Sequence, residues 1–165
     1  MSDLYLATTD DPWAQRVRDA FGGTFTGHIG TWAFSSEGID VERALADVRL
    51  TGADVVAVGP GLDEEIALAL CARIDEEQPE CCVLLVATPD VDLYQRALRA
   101  GVRDVVDPEA PLPDIRTTIE RARDTAQRRR TNVTAHAVAH TTPTKIIAVV
   151  STKGGAGKTA ISTNL

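Results

Sequence analysis

Aromatic side chains are scarce in this sequence, two Trp, two Tyr and three Phe, 4% in all, and that scarcity argues against an all-β sandwich built on Thr-, Tyr- and Trp-rich strands. No apolar run approaches the ~20 residues that a membrane-spanning helix requires. The opening stretch, MSDLYLATTDDPW, lacks the basic-then-apolar pattern of a secretory signal, so the expected location is the cytoplasm. Positive charge is in deficit: 17 Lys and Arg face 24 Asp and Glu, a net charge of −7, which disfavours broad nucleic-acid binding unless the cations are gathered locally. Cysteine is limited to Cys71, Cys81 and Cys82, an odd number without CxxC spacing. These read as small buried hydrophobes rather than disulfides or metal ligands.

What is present suits one α/β domain. The 165 residues are 44% hydrophobic and 25% charged, enough apolar material for one proper core. Over residues 1–130, short Val- or Leu-rich runs alternate with segments of helical period, the mark of a parallel sheet covered on both faces. Leu4 to Thr8 reads as the first strand. A helix follows from about Pro12, with Trp13, Val17, Ala20 and Phe21 on one stripe, and Gly22 and Gly23 end it. Between Thr24 and Gly38, breaker residues mix with Phe25, Ile29, Trp32 and Phe34, so a second strand falls there without a fixed place.

Val41, Ala44, Leu45 and Val48 form a helical face, and Ala53 to Gly59 (ADVVAVG) reads as a buried central strand. Ile66, Ala67, Leu70, Cys71 and Ile74 mark a third helix, which Pro79 stops before the strand Cys81 to Ala87 (CCVLLVA). A fourth helix, Val91 to Ala100, is closed by Gly101, and a fifth strand spans Val102 to Val106. The last helix begins near Asp114 and carries Ile115, Ile119, Ala122 and Ala126 inward; its basic end, Gln127 to Arg130, reads as a solvated face. Five strand and helix pairs in this order predict a flavodoxin-like, doubly wound five-stranded parallel sheet. Residues 131–144 show no period and read as a linker. All three His, His28, His136 and His140, fall outside strong elements and read as loop residues.

The sharpest motif lies at the end. Lys145 to Ser151 (KIIAVVS) reads as a strand, and Lys153, Gly154, Gly155, Ala156, Gly157, Lys158 and Thr159 form a phosphate loop opening a helix at Ala160. Glycines let successive backbone amides converge on phosphate oxygens, Lys158 would reach the β and γ phosphates, and the Thr159 hydroxyl would ligate Mg²⁺. Thr152 stands where the general motif has its first glycine.

Lys153 before the paired glycines resembles the deviant Walker A loop, KGGxGK[ST], of the ParA and MinD family of ATPases. That resemblance covers Lys145 to Leu165 and implies ATP and Mg²⁺ as ligands, with Lys153 reaching the ATP of a dimer partner and Lys158 as the ordinary lysine. Residues 145–165 hold only the start of such a domain, so the chain is expected to be a fragment that neither binds ATP tightly nor hydrolyses it.

Residues 1–130 resemble response-regulator receivers. Asp10 and Asp11 follow the first strand where receivers carry the acidic pair that holds Mg²⁺, and ALRAGVRDVVDP (Ala97 to Pro108) is similar to the stretch ending in their Lys-Pro. Two positions depart. Gly59 stands where the phosphate-accepting aspartate belongs, and Asp107 replaces the lysine; the expected hydroxyl falls on Ala87, with Thr88 one place on. Without acceptor or charge partner, aspartyl phosphorylation is not expected. Asp10 and Asp11 are weak metal candidates; with the third ligand missing, the favoured reading is that they cap the helix beginning near Pro12.

A receiver-like domain joined by a linker to a deviant Walker ATPase resembles the TadZ and CpaE proteins of Flp pilus assembly. The resemblance implies a pilus assembly and localisation factor, concentrated at a cell pole or the inner face of the membrane. Its receiver-like part would target and self-associate, and its ATPase part would dimerise with ATP and recruit pilus secretion proteins. The alternatives are a phosphorylated response regulator, a partition ATPase that binds DNA through Arg121, Arg123 and Arg128 to Arg130, and a plain interaction module with a vestigial phosphate loop. Self-association would use the fourth and fifth helices, near Tyr94 to Ala100 and Ile115 to Arg123, where Arg96, Arg99, Glu120 and Arg121 could form reciprocal polar contacts.

Overall fold

The computed structural model describes residues 2–32 and 41–139, with side chains for 3–32 and 41–131. In chain order the elements are β1 (Ser2–Ala7), α1 (Asp11–Phe21), β2 (Gly27–Thr31), α2 (Val41–Thr51), β3 (Val55–Val58), α3 (Glu64–Glu77), β4 (Cys82–Val86), α4 (Val91–Arg99), β5 (Asp104–Val106) and α5 (Leu112–Ala139). The strands form one parallel sheet in the order β2-β1-β3-β4-β5. This is the flavodoxin-like, doubly wound arrangement expected from the alternation of runs.

Period-two alternation divides the strands between two cores. Leu4, Leu6, Val55, Ala57, Cys82, Leu84 and Val86 pack with α1 and α5, where Trp13, Val17 and Phe21 meet Ile115, Ile119, Ala122 and Ala126. Val56, Val58, Val83, Leu85 and Val105 face the opposite way, against Leu45 and Val48 of α2, Leu70 and Ile74 of α3, and Leu93 and Ala97 of α4. Every residue of β3 and β4 is buried, which is why their sequences, VVAV and CVLLV, are unbroken apolar runs.

Local signals place the helix ends. Asp10, Asp63 and Asp90 accept backbone N–H groups at the starts of α1, α3 and α4. Gly22, at φ +52°, closes α1 by donating to the carbonyls of Arg18 and Asp19. The unplaced second strand is Gly27–Thr31, and it carries exposed His28, whose ring lies 6.5 Å from that of Tyr5 on β1.

Two readings are corrected. The helical backbone of α5 runs to Ala139, nine residues into the stretch 131–144 read as a linker, so His136 lies on a helix. The basic end of α5 is also not simply solvated: Arg123 donates to the carbonyl of Thr26 and stacks 4.6 Å over the Phe25 ring, and Arg129 and Arg130 donate to carbonyls of the sheet's N-terminal edge. Periodicity failed here because, among the described side chains, the last buried apolar one on α5 is Ala126 while the helix goes on. His140 and the phosphate-loop segment lie outside the described residues. Among the described residues, no helix is long and apolar enough to cross a membrane.

Candidate functional site

In an open parallel sheet the crevice at the C-terminal ends of the strands is where ligands and reacting groups collect. Here that edge is built by Thr8 to Asp11 after β1, Gly59 to Gly61 after β3, Ala87 and Thr88 after β4, and Asp107 and Pro108 after β5.

Two threonine hydroxyls tie the first two of these connections together. Thr8, buried at 4% exposure, donates through Oγ1 to the carbonyl of Pro60 at 2.7 Å and accepts the N–H of Asp10 at 3.0 Å. Thr9 donates through Oγ1 to the carbonyl of Gly61 at 3.0 Å. Below them the N–H of Gly59 donates to the carbonyl of Ala7 at 2.8 Å. Each such bond contributes about 1 kcal/mol net, and together they fix the spacing of the two loops.

Gly59, expected from the sequence at the place of a receiver's phosphate acceptor, has a backbone that disfavours any side chain. Its φ is +89°, and a Cβ built there would lie 2.5 Å from the carbonyl oxygen of Val86, inside van der Waals contact. Gly61 is constrained in the same way, with φ +88° and a Cβ position crowded against Oγ1 of Thr9. The edge therefore lacks more than a carboxylate: it has no space for one at this position without moving the end of β4.

Two of the three carboxylates near the expected site, Asp10 and Asp107, turn onto their own backbone. Asp10 accepts the N–H of Trp13 through Oδ1 at 2.8 Å and is the N-cap of α1; Asp11 is exposed in the first turn. Asp107 accepts the N–H of Glu109 through Oδ1 at 2.9 Å, while its carbonyl accepts the N–H of Ala110 at 3.0 Å, a tight turn around Pro108. Among the described residues, no group of three or more His, Cys, Asp and Glu is arranged to hold a metal ion. Ala87 donates its N–H to the carbonyl of Val106 at 3.1 Å, and Thr88 is exposed.

Sequence reasoning passed over Thr8, Thr9 and the Gly-Pro-Gly turn at 59–61. The signal was the adjacency of two hydroxyls to the end of a strand. A second overlooked signal is the distribution of lysine: all three, Lys145, Lys153 and Lys158, lie in the last 21 residues, so no lysine between positions 1 and 144 can substitute for the cation missing at Asp107.

The cysteines are inert by environment. Burial pushes the thiols of Cys71 and Cys81 up to about 12, and that of Cys82 is raised by the same cause, so thiolate chemistry is suppressed near neutral pH.

The face of α4 and α5 expected to self-associate differs in detail. Arg96 pairs with Asp92 at 2.9 Å and with Glu64, and Glu120 pairs with Arg116 at 2.8 Å, so these charges are engaged within the chain. Beside exposed Asp92, Gln95 and Arg99, α4 also presents an apolar stripe: Val91, Tyr94 and Leu98, at helical spacing, are exposed. A cavity of about 110 Å³ between α4 and β5 lies beside Tyr94 and Leu98. The proposed phosphate-loop ligands, Lys153 to Ala160, lie outside the described residues, and the geometry neither assembles nor separates them.

The sequence matches no protein-family model and no curated protein. Solved structures do match. NtrX from Brucella abortus, determined in complex with ADP, superposes with a TM-score of 0.66 at 18% identity over 99% of this chain, which spans only 34% of that protein. A CheY-like protein (tadZ) from Pseudomonas aeruginosa gives a TM-score of 0.59 at 20% identity, covering 74% of this chain and 99% of that one. A candidate pilus assembly protein (cpaE) from Burkholderia thailandensis gives 0.55 at 21% identity, covering 74% and 98%. At these identities the likeness establishes the fold, and residues 2–106 with α5 have the architecture of a CheY-like receiver domain.

Proposed function

We infer that this chain is the receiver-like part of a pilus assembly and localisation factor, a domain that works through its surface and does not accept phosphate. The observation that carries the second half of this reading is Gly59, whose φ of +89° and 2.5 Å approach to the Val86 carbonyl leave no place for an acceptor carboxylate. Asp107 at the lysine position and the absence of any lysine before Lys145 support it, because a phosphoryl group there would meet no lysine of the receiver-like domain itself. The pilus role is supported by the likeness to the tadZ and cpaE proteins together with the KGGAGKT motif. In this reading the following segment begins an ATPase of the ParA and MinD type, with Lys153, Lys158 and Thr159 serving ATP and Mg²⁺. That ATPase dimerises with nucleotide and recruits the pilus secretion machinery, while the receiver-like part places it.

Acetyl phosphate labelling followed by intact-mass measurement tests the non-phosphorylatable domain: no adduct is expected, and a stable gain of one phosphate overturns the reading in favour of a signalling response regulator. For the placement role, a fluorescent fusion of the chain in a bacterium that assembles such pili should form polar or membrane-associated foci. Uniform fluorescence there would remove the assignment. Self-association rests on the exposed stripe Val91, Tyr94 and Leu98, and light scattering that shows only monomer at high concentration would count against it.

A further inference from the structure

The last described side chains of α5 are held to the sheet by charge and not by packing. Among the described side chains, buried apolar contact ends at Ala126; from Gln127 to Thr131 every one is half-buried or exposed. Beyond that point two consecutive arginines reach across the N-terminal edge of the sheet. Arg130 donates to the carbonyls of Gly52 and Ala53, at 2.5 and 3.1 Å, and pairs with the buried carboxylate of Asp54 at 2.6 Å. Arg129 donates to the carbonyls of Pro79 and Cys81 at 3.1 and 3.3 Å, with the Asp75 carboxylate 4.0 Å away. Each guanidinium thus meets one helix-to-strand connection, Arg130 the one from α2 to β3 and Arg129 the one from α3 to β4. Both sit beside helix C-termini, the negative ends of the α2 and α3 dipoles.

The helix beyond the arginines has little support of its own. Residues 127–139, QRRRTNVTAHAVA, include Thr, Asn, Val and His, all weak helix formers, and an isolated helix of this length is marginal in water.

We propose that Arg129 and Arg130 form a latch that closes the end of α5 onto the N-terminal edge of the sheet and opens without unfolding the sheet. Closed, the latch occupies both guanidinium groups and keeps the helix continuous to Ala139. Open, it frees the helix from about Gln127 and presents Arg128, Arg129 and Arg130 together as a basic segment. The tail of the domain is then a two-state element, governed at a point remote from the crevice at the strands' C-terminal ends.

Amide hydrogen exchange on the full 165-residue chain tests this. In R129A/R130A, amides from Arg128 to Ala139 should exchange roughly tenfold faster or more, while those of β1, β3 and β4 keep their protection. Because losing Arg130 removes the ion pair of a buried carboxylate and can unfold the domain, D54N/R129A/R130A removes that charge as well. Unchanged protection over 128–139 in the triple variant overturns the latch. So does an equal loss of protection in helix and sheet, which would make the arginines general stabilisers of the fold.

Discussion

Replacing Gly59 by Ala isolates the contact that opposes a side chain at position 59, and a second glycine supplies the control. Gly23 has φ +80° with open space around its would-be Cβ; Gly59 has φ +89° and the Val86 carbonyl 2.5 Å away. Gly23→Ala therefore carries only the backbone penalty of a left-handed alanine, about 1 kcal/mol after the gain from a less flexible unfolded chain. Gly59→Ala carries the same penalty plus displacement of the end of β4, an overpacking term of about 1 to 3 kcal/mol. The sum is about 2 to 4 kcal/mol, and the difference between the variants measures the overlap alone. Urea unfolding at 25 °C, followed by circular dichroism, reads both as shifts in midpoint at constant slope. Equal losses within about 0.5 kcal/mol would refute the reasoning, because the Val86 carbonyl would then cost nothing to move. Gly59→Asp should be at least as destabilised as Gly59→Ala, because the longer side chain meets the same Val86 carbonyl.

Other consequences can be measured on the same chain. The buried thiols of Cys71 and Cys81 titrate near 9.0 when unfolded and at about 12 when folded, so their contribution is complete below pH 9 and is lost as pH rises toward 12. Unfolding free energy should fall by about 3 kcal/mol between pH 8 and 10, and a flat profile would mean the thiols are not desolvated. Ile119→Ala, at 1% exposure in the core between α5 and the sheet, should cost about 2 to 5 kcal/mol, whereas Leu98→Ala, at 69% exposure, should cost less than about 0.5 kcal/mol. Asp10→Ala should cost about 1 kcal/mol through the lost cap on Trp13, and about 10 mM Mg²⁺ should leave the wild-type midpoint unmoved; stabilisation by Mg²⁺ that the substitution abolishes would make Asp10 a metal ligand.

The sheet was legible in the sequence wherever burial was complete. ADVVAVG and CCVLLVA announce central strands because both faces are covered, and the glycines after the helices mark their ends. GHIGT was not legible: an edge strand with two glycines and an exposed histidine carries no alternation of its own, and it forms because Leu4 and Tyr5 of β1 offer a partner in register. The end of α5 escaped for a related reason. Hydrophobic periodicity reports apolar packing only, and past Ala126 the helix is attached by guanidinium groups whose acceptors are backbone carbonyls far away in the chain. At the candidate site, Gly59 and Asp107 could be read as departures from a receiver, but the tie between Thr8, Thr9 and the 59–61 turn needs the register of β1 against β3.

The pairing of α1 with α5 across one face of the sheet has a consequence for synthesis on the ribosome. Trp13, Val17 and Phe21 emerge early, but Ile115, Ile119 and Ala122, which cover the same face, follow about 100 residues later, and the bond from Arg16 to the Ala110 carbonyl spans 94 positions. At about 5 to 20 residues per second, that apolar surface waits roughly 5 to 20 seconds for its cover. During that interval the nascent chain can pair β1 with β2 and β3, yet one side of its sheet has α1 as its only cover. The domain's demand on chaperones should therefore peak while α2 to α4 are being made and fall once α5 has cleared the exit tunnel.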